Sequence, residues 1–483
     1  MFNDLQPPAV WAHFDTLCRI PRQSKQEDAL RAHLQHWATN QGLATQVDLA
    51  GNLIVRKPAS TGCERAPGIV LQGHLDMVCQ KNSDSMHDFS RDPIRAVLLD
   101  DGFLVAEDTT LGADNGIGVA LILAVLEDTA LLHGPIEALF TVDEEAGMGG
   151  ALGLASDVLQ GRLMLNLDTE EWGEFYLGCA GGMDVNVARP GSARALPDGH
   201  ECWRISLRGL RGGHSGINIH EGRGNAIKLL VRVLQDLARH HPVRLAELKG
   251  GTARNALPRE AHAVIALPTG LGAPLADALA HWQALLTQEL AGVEPGLSLN
   301  SQPTSAAQVL SPVEQTVWLN SLHAAPHGVR RMSQCVPGVV ETSNNLGMVE
   351  LQATGGSCNF MVRSLLDSGS QALADEIASL WALSDTAAET SGQYPGWTPN
   401  PDSALLKRCQ QVYQREFGTS STVQVIHAGL ECGIIAAKYP GMDIVSFGPT
   451  IRGAHAPGES VDVASVERTW QLLSAILAAH ACA

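Results

Sequence analysis

Short, mainly apolar runs recur along the first third of the chain and once more near its end. Residues 68–72, 137–142, 163–167 and 443–447 are each too short for a helix. Their near-continuous apolar character is that of strands buried on both faces of a parallel sheet. A weaker strand is predicted over 52–56. Helical patterns lie between the runs. Ser24 and Glu27 have capping-box spacing, Leu30, Leu34 and Trp37 follow at helical spacing, and Gly42 sits just past the end, so the first helix is predicted to start near Ser24. Residues 116–126 are apolar all round, which predicts a buried helix. Strands alternating with helices predict an α/β layered sheet.

The middle of the chain has a different pattern. Residues 189–199 and 391–402 are rich in turn-forming residues and are predicted to be linkers. Between them, strand-like runs at 202–207 and 349–353 are followed by amphipathic helical patterns at 225–237 and 370–383. The expected organisation is a discontinuous α/β domain, residues 1–188 and 394–483, with a mostly parallel sheet flanked by helices. An α+β domain of two similar halves, residues 189–393, is inserted into it.

A chain of 483 residues is too long for one core. At 45% apolar and 17% charged residues it is globular rather than disordered. The formal charge of −18, with no Lys/Arg run, argues against a nucleic-acid partner, which needs a basic face. The ten cysteines have scattered spacings and no Cys-x-x-Cys, as expected of free thiols in a reducing compartment. Met1-Phe2-Asn3-Asp4 is not the start of a secretory leader, and the longest apolar run, 117–126, is about half of a bilayer span. A cytoplasmic protein without a membrane partner is expected. No Gly-x-Ser-x-Gly elbow is found, and no Gly-x-Gly-x-x-Gly follows a strand, which argues against serine hydrolases and dinucleotide enzymes.

The candidate chemistry sits at the carboxyl ends of the apolar runs. After 68–72 comes Gly73-His74-Leu75-Asp76, after 137–142 comes Asp143-Glu144-Glu145, after 163–167 comes Asp168, and His455 comes within a few residues of 443–447. Ligands of open α/β sheets bind outside the carboxyl ends of the strands, so four segments deliver His, Asp or Glu to one edge. On an extended segment His74 and Asp76 share a face, and the carboxylate can orient a metal-bound imidazole. A solvent-exposed turn is the ordinary alternative. Asp114, ahead of the buried helix, reads equally as a helix cap or as a carboxylate bridging two cations. Of the adjacent Glu144 and Glu145, one can bind metal while the other stays free as a base. In isolation the pair is also what a solvated loop looks like. Two His and three carboxylates (Asp114, Glu145, Asp168) suit two zinc ions, each with one His, one private carboxylate, a share of bridging Asp114 and a bridging water.

These residues resemble the co-catalytic zinc exopeptidases, the family of carnosinases, aminoacylases and zinc carboxypeptidases, and within it the bacterial aminoacyl-histidine (Xaa-His) dipeptidases. The matching stretches are Ile20-Pro21-Arg22-Gln23-Ser24, Gln72-Gly73-His74-Leu75-Asp76-Met77-Val78, 111–118, 143–148, Asn166-Leu167-Asp168, Gly212-Gly213-His214-Ser215-Gly216, 251–258, 359–364 and Gly453-Ala454-His455. They span nearly the whole chain in the family's order. The resemblance implies metal-dependent hydrolysis of dipeptides such as β-alanyl-histidine, with two zinc ions per subunit (manganese or cobalt being acceptable). His74, Asp114 and Asp168 would hold one ion; Asp114, Glu145 and His455 the other. Glu144 would be the general base and Asp76 would orient His74. The inserted domain would be a lid and the contact of a homodimer. In it His214 would reach the partner's substrate and stabilise the oxyanion, Asn255 would assist, and Arg363 would clamp the substrate carboxylate. By pattern alone these three read as ordinary surface residues.

The family usually follows its last His with Ser/Thr-Pro-Asp-Glu. Here the stretch is His455-Ala456-Pro457-Gly458-Glu459, from which only altered loop packing is expected. An N-acyl amino-acid deacylase would use the same metals. A non-catalytic binding protein on the same fold would be expected to have lost Glu144.

Overall fold

The computed structural model describes residues 2, 4–82 and 84–481; Met1 and Asn3 of the N-terminal Met1-Phe2-Asn3-Asp4 lie outside them. The chain forms two compact units. One runs to Gly178 and takes up Pro399–Val425 and the chain from Leu430; the other is Cys179–Thr398 with Ile426–Gly429.

The first unit is built on an eight-stranded sheet in the order Ala44–Val47, Leu53–Lys57, Ile136–Thr141, Ile69–His74, Leu163–Asn166, Asp443–Ser446, Glu174–Cys179, Thr422–Ile426. The four central strands are the four apolar runs and are mutually parallel. They are buried on both faces, as the sequence required, through Ile69, Val70, Leu71, Ala138, Leu139, Phe140, Met164, Leu165 and Val445. Register places Gln72 opposite Asn166, Asn166 opposite Ser446 and His74 opposite Thr141, so the strands end within two residues of one another and their trailing segments leave at one edge. Helix Ala113–Glu127 is buried from Ile117 to Leu126. Each large aliphatic side chain removed from water there stabilises by about 1.5–3 kcal/mol.

The N-terminal expectation needs correction. A helix over Pro8–Arg19, with Val10, Trp11, Phe14 and Leu17 buried, precedes the expected one, which begins at Asp28. Ser24 and Glu27 form no capping box, because other loops recruit their side chains. Ser24 Oγ donates to Asp76 Oδ2 at 2.7 Å, and Glu27 Oε1 accepts the Asp143 N–H at 2.8 Å.

The second unit contains the same β-α-β-β-α-β topology twice. The first copy is strand His200–Arg208, helix Ala226–His240, strands Arg244–Gly250 and Ala261–Pro268, helix Gly272–Glu289 and strand Ser298–Thr304. The second is strand Gly181–Pro190, helix Pro312–Ala324, strands Val340–Gln352 and Gly355–Ser364, helix Asp367–Ala382 and strand Ala388–Tyr394. In each the spatial order is fourth, first, third, second, and the two sheets join edge to edge through their second strands. The first copy interrupts the second after its first strand, which hides the repeat from a linear reading. Residues 189–199 are accordingly no plain linker: they hold the end of strand Gly181–Pro190 and strand Ala193–Ala195.

No helix among the described residues is long and apolar enough to cross a membrane. The nine described cysteines form no disulfide.

Candidate active site

In the first unit the neighbouring strand ends bring the predicted residues together. His74 ends its strand, and Asp168 lies two residues beyond Asn166. The turn carrying Glu144 and Glu145 is entered through Asp143 at φ 56°, and His455 itself has φ 67°. Left-handed backbone is costly for residues with a side chain and concentrates at functional sites. Asp114 sits at the extended entry to the buried helix, with ψ 115°, but its carboxylate turns to two imidazoles rather than to the N–H groups of the first turn. Gly118 lets that helix lie against the segment bearing Asp168, since a Cβ there would collide with the Leu167 carbonyl oxygen.

Asp114 is shared. Its Oδ1 lies 3.1 Å from His74 Nε2, and its Oδ2 lies 3.1 Å from His455 Nε2. His74 Nε2 also faces Asp168 Oδ1 at 3.3 Å, and His455 Nε2 faces Glu145 Oε2 at 3.2 Å. Asp76 stands behind His74, with Oδ1 3.4 Å and its carbonyl oxygen 3.1 Å from Nδ1. The donor atoms of His74, Asp114 and Asp168 lie within 4.8 Å of one another, as do those of Asp114, Glu145 and His455, and of His74, Glu144 and Glu145. Such sets of imidazole nitrogen and carboxylate oxygen could hold divalent cations.

The electrostatics point the same way. Burial alone would lower the His74 imidazole, but Asp168, Asp114 and Asp76 hold it well above its ordinary range. Contacts with Asp114 and Glu145 raise His455 to about 11. Burial, opposed by His74 and reinforced by Asp114 and Glu145, raises Asp168 to about 6. Burial also pushes Glu144 well up, against the pull of His74 and with the help of Asp168, Glu145 and Glu431. The site therefore carries more negative charge than its own side chains neutralise.

A family model described as peptidase family M20/M25/M40 matches residues 70–479. The chain belongs to this family. It is 43% identical, over 98% of both chains, to the cytosol non-specific dipeptidase of Escherichia coli. It is similar to the crystal structure of aminoacylhistidine dipeptidase from Vibrio alginolyticus, with a TM-score of 0.89 and 43% identity over 99% of this chain and 98% of that one. A tripeptidase from Staphylococcus aureus shares the fold, with a TM-score of 0.57 at 17% identity over 99% of this chain and 100% of the other.

Within this M20/M25/M40 chain the second unit gathers His214, Asn255 and Arg363. Arg363 is 4% exposed; its Nη1 donates to Tyr394 Oη at 2.8 Å and its Nη2 lies 3.4 Å from His214 Nε2. His214 Nδ1 accepts the Gly216 and Ile217 N–H groups at 3.2 and 3.1 Å, which puts the imidazole proton on Nε2. Two donors thus converge, as binding an anionic oxygen requires. A bridge between His214 and Ala256, with Ser215 N–H donating to the Asn255 carbonyl at 2.8 Å, sets Asn255 beside them.

The roles of four residues escaped the sequence reading. Ser24 holds Asp76, Tyr394 holds Arg363, and Glu431, fully buried, accepts from Gln72 Nε2 at 2.7 Å and Thr141 Oγ1 at 2.5 Å. Burial raises Glu431 to about 7, with opposing pulls from His74 and Thr141. Glu459 grips the loop of Asp114. Ser24 entered the sequence reading only as a helix cap and as the end of a family stretch, and Glu459 only as the unchanged end of the family's last motif.

Proposed function

We propose that the chain is a two-metal dipeptidase hydrolysing small dipeptides, Xaa-His dipeptides such as β-alanyl-histidine among them. The observation that supports this best is the divided carboxylate of Asp114, which offers one oxygen to each of two imidazoles while each imidazole faces a second carboxylate of its own. The residues fit a pair of cations: both Nε2 atoms face carboxylate oxygens, and the buried Glu145 Oε1 receives no hydrogen bond from any described residue. His74, Asp114 and Asp168 would hold one ion, and Asp114, Glu145 and His455 the other. A nitrogen–oxygen donor set suits zinc and also accepts manganese or cobalt. When bound, the ions lower the pKa of a shared water towards neutrality and polarise the scissile carbonyl.

Glu144 is the base in this reading. Burial raises its proton affinity above that of an ordinary carboxylate, and in this role it takes a proton from the attacking water and returns it to the leaving amine nitrogen. Asp76 keeps His74 oriented. Arg363 binds the substrate's terminal carboxylate, the use to which a planar guanidinium is best suited. His214 Nε2–H and Asn255 stabilise the oxyanion. The second unit takes the roles of lid and homodimer contact. Relatives named as dipeptidases support the size of the substrate. The lack of disulfides among the nine described cysteines, and the cytosolic name of the Escherichia coli relative, support a cytoplasmic location.

The test is hydrolysis of β-alanyl-histidine, Gly-His, Ala-Leu, a tripeptide and an N-acetyl amino acid, each with and without a chelator. Chelator-sensitive cleavage of the dipeptides alone is expected. Equal rates on Ala-Leu and the histidine dipeptides would make the enzyme non-specific, and cleavage of the N-acetyl compound alone would overturn the dipeptidase reading.

A further inference from the structure

Two buried side chains of opposite charge grip the loop that presents Asp114, and neither touches the imidazole–carboxylate cluster with its charged atoms. Glu459 is 2% exposed. Its Oε2 accepts the N–H groups of Leu111 and Gly112, both at 2.8 Å, and its Oε1 accepts the Asp114 N–H at 3.1 Å. These amides precede helical hydrogen bonding and would otherwise be buried without partners, an expensive state for a backbone group. Glu459 also donates its own N–H to the Ala456 carbonyl at 3.0 Å, closing the turn that carries His455. One side chain thus joins the His455 turn to the Asp114 loop.

Arg22 holds the same loop by its carbonyls. It is 3% exposed; Nη2 donates to the Gly112 carbonyl at 2.5 Å, and Nη1 donates to the carbonyls of Leu75 and Asp76, both at 3.0 Å. It therefore joins the Asp114 loop to the segment just beyond His74. Gly112, at φ 69°, is the point where both grips meet, and a Cβ there would collide with Arg22 Nη2. Arg22 lies in a stretch that marked the family in the sequence, and Glu459 is the unchanged end of the family's last motif, yet the proposed hydrolysis uses neither.

We propose that Arg22 and Glu459 are positioning residues: a two-sided backbone clamp that seats the Asp114 carboxylate between His74 and His455. A carboxylate can take the amides and a guanidinium the carbonyls, so the pair fixes both polar edges of one loop. The clamp rests on the two-metal reading. It adds that the spacing of the two ligand sets depends on charges that never touch the ions.

The experiment is zinc titration of the full chain against a chromophoric chelator, for the wild type, Glu459→Gln, Arg22→Lys and Glu294→Gln. Glu294 is the control: 3% exposed and in the second unit, it accepts the Arg211 and Gly224 N–H groups at 2.7 and 2.8 Å. Glu459→Gln keeps the shape but sets an NH2 group against backbone donors. Loss of outer residues that orient metal ligands typically weakens metal binding about 10–100-fold. Glu459→Gln and Arg22→Lys are expected to bind zinc at least about tenfold more weakly, whereas Glu294→Gln loses thermal stability and keeps wild-type affinity. Two ions at wild-type affinity in both clamp variants overturn the clamp, and so does an equal weakening in Glu294→Gln. Should Glu459→Gln fail to fold, Arg22→Lys decides alone by the same criterion. A wild type that binds no zinc refutes the two-metal reading itself.

Discussion

Asp76 Oδ1 accepts the Glu144 N–H at 3.0 Å, so the carboxylate behind His74 also holds the turn that carries the proposed base. Its Oδ2 takes the Glu145 N–H at 3.0 Å and the Ser24 hydroxyl at 2.7 Å. Burial would raise this carboxyl, but His74, Ser24 and the Glu144 amide bring it down to about 2. It stays ionised across the working range, and an acid limb in a rate profile cannot come from it. Asp76→Asn keeps one acceptor and turns an NH2 group towards donors. Activity and zinc affinity are expected to fall together by about 10–100-fold, with Ser24→Ala causing a smaller loss of the same kind. Wild-type turnover in Asp76→Asn would refute the orienting role.

Glu144 and Glu145 separate by what they face. Glu145 lies 3.2 Å from His455, whereas Glu144 belongs to neither of the two ligand sets built on Asp114. Glu144→Gln is therefore expected to keep both ions and to lose about 10²–10⁴ in kcat, the usual worth of a positioned base. Zinc content and turnover measured on one sample decide it. Near-normal kcat with two ions bound would remove Glu144 from the mechanism.

Zinc binding should consume base. Without metal, contacts with Asp114 and Glu145 keep His455 protonated to about pH 11, and His74 is likewise held well above its ordinary range. Each imidazole must lose its proton to become a ligand. Zinc addition near pH 7 should release about one proton per ion, and affinity should climb about tenfold per pH unit for each proton displaced. A weakly buffered indicator solution reads the release, and no release would mean that the imidazoles are not the ligands.

How much of this could be read along the chain depended on how local each signal was. The parallel strands and their trailing His74, Asp76, Glu144, Glu145 and Asp168 were legible because a strand buried on both faces is apolar throughout and must end in what it delivers. Asp114 was ambiguous, since a cap and a shared ligand put the same residue in the same place. The Ser24–Glu27 spacing misled because a capping box is defined locally, whereas each side chain bonds a loop far away in sequence. Glu431, Tyr394 and the role of Arg22 were invisible for the same reason: their meaning lies in partners between 31 and 359 residues distant. The duplicated topology of the second unit was only sensed, because one copy interrupts the other.

In the second unit, Arg363 is fixed by Tyr394 with its outer nitrogen beside His214. A lysine there keeps the charge but lacks the planar pair of donors. Losing one charge-assisted contact costs about 2 kcal/mol, which is about thirtyfold. Arg363→Lys should raise KM by about that factor for a dipeptide with a free carboxylate and change it little for the dipeptide amide. Equal effects on both substrates would show that Arg363 does not read the carboxylate.

Burial of His427 is expected to make the fold of the second unit sensitive to acid. It is 7% exposed, with Nε2 2.7 Å from Ser343 Oγ, and burial, aided by Arg363 and His214, pushes it down to about 3 from 6.5. Below pH 6.5 the unfolded chain takes up a proton that the folded chain refuses. This contribution is therefore present above pH 6.5 and is lost as pH falls towards 3, by up to about 1.4 kcal/mol per unit. Between pH 6.5 and 5 the wild type should lose about 2 kcal/mol more than His427→Gln, in which the amide can keep the Ser343 contact without titrating. Guanidinium unfolding of both proteins at each pH measures the difference. Parallel stability curves would show that His427 stays uncharged in both states or is protonated within the fold.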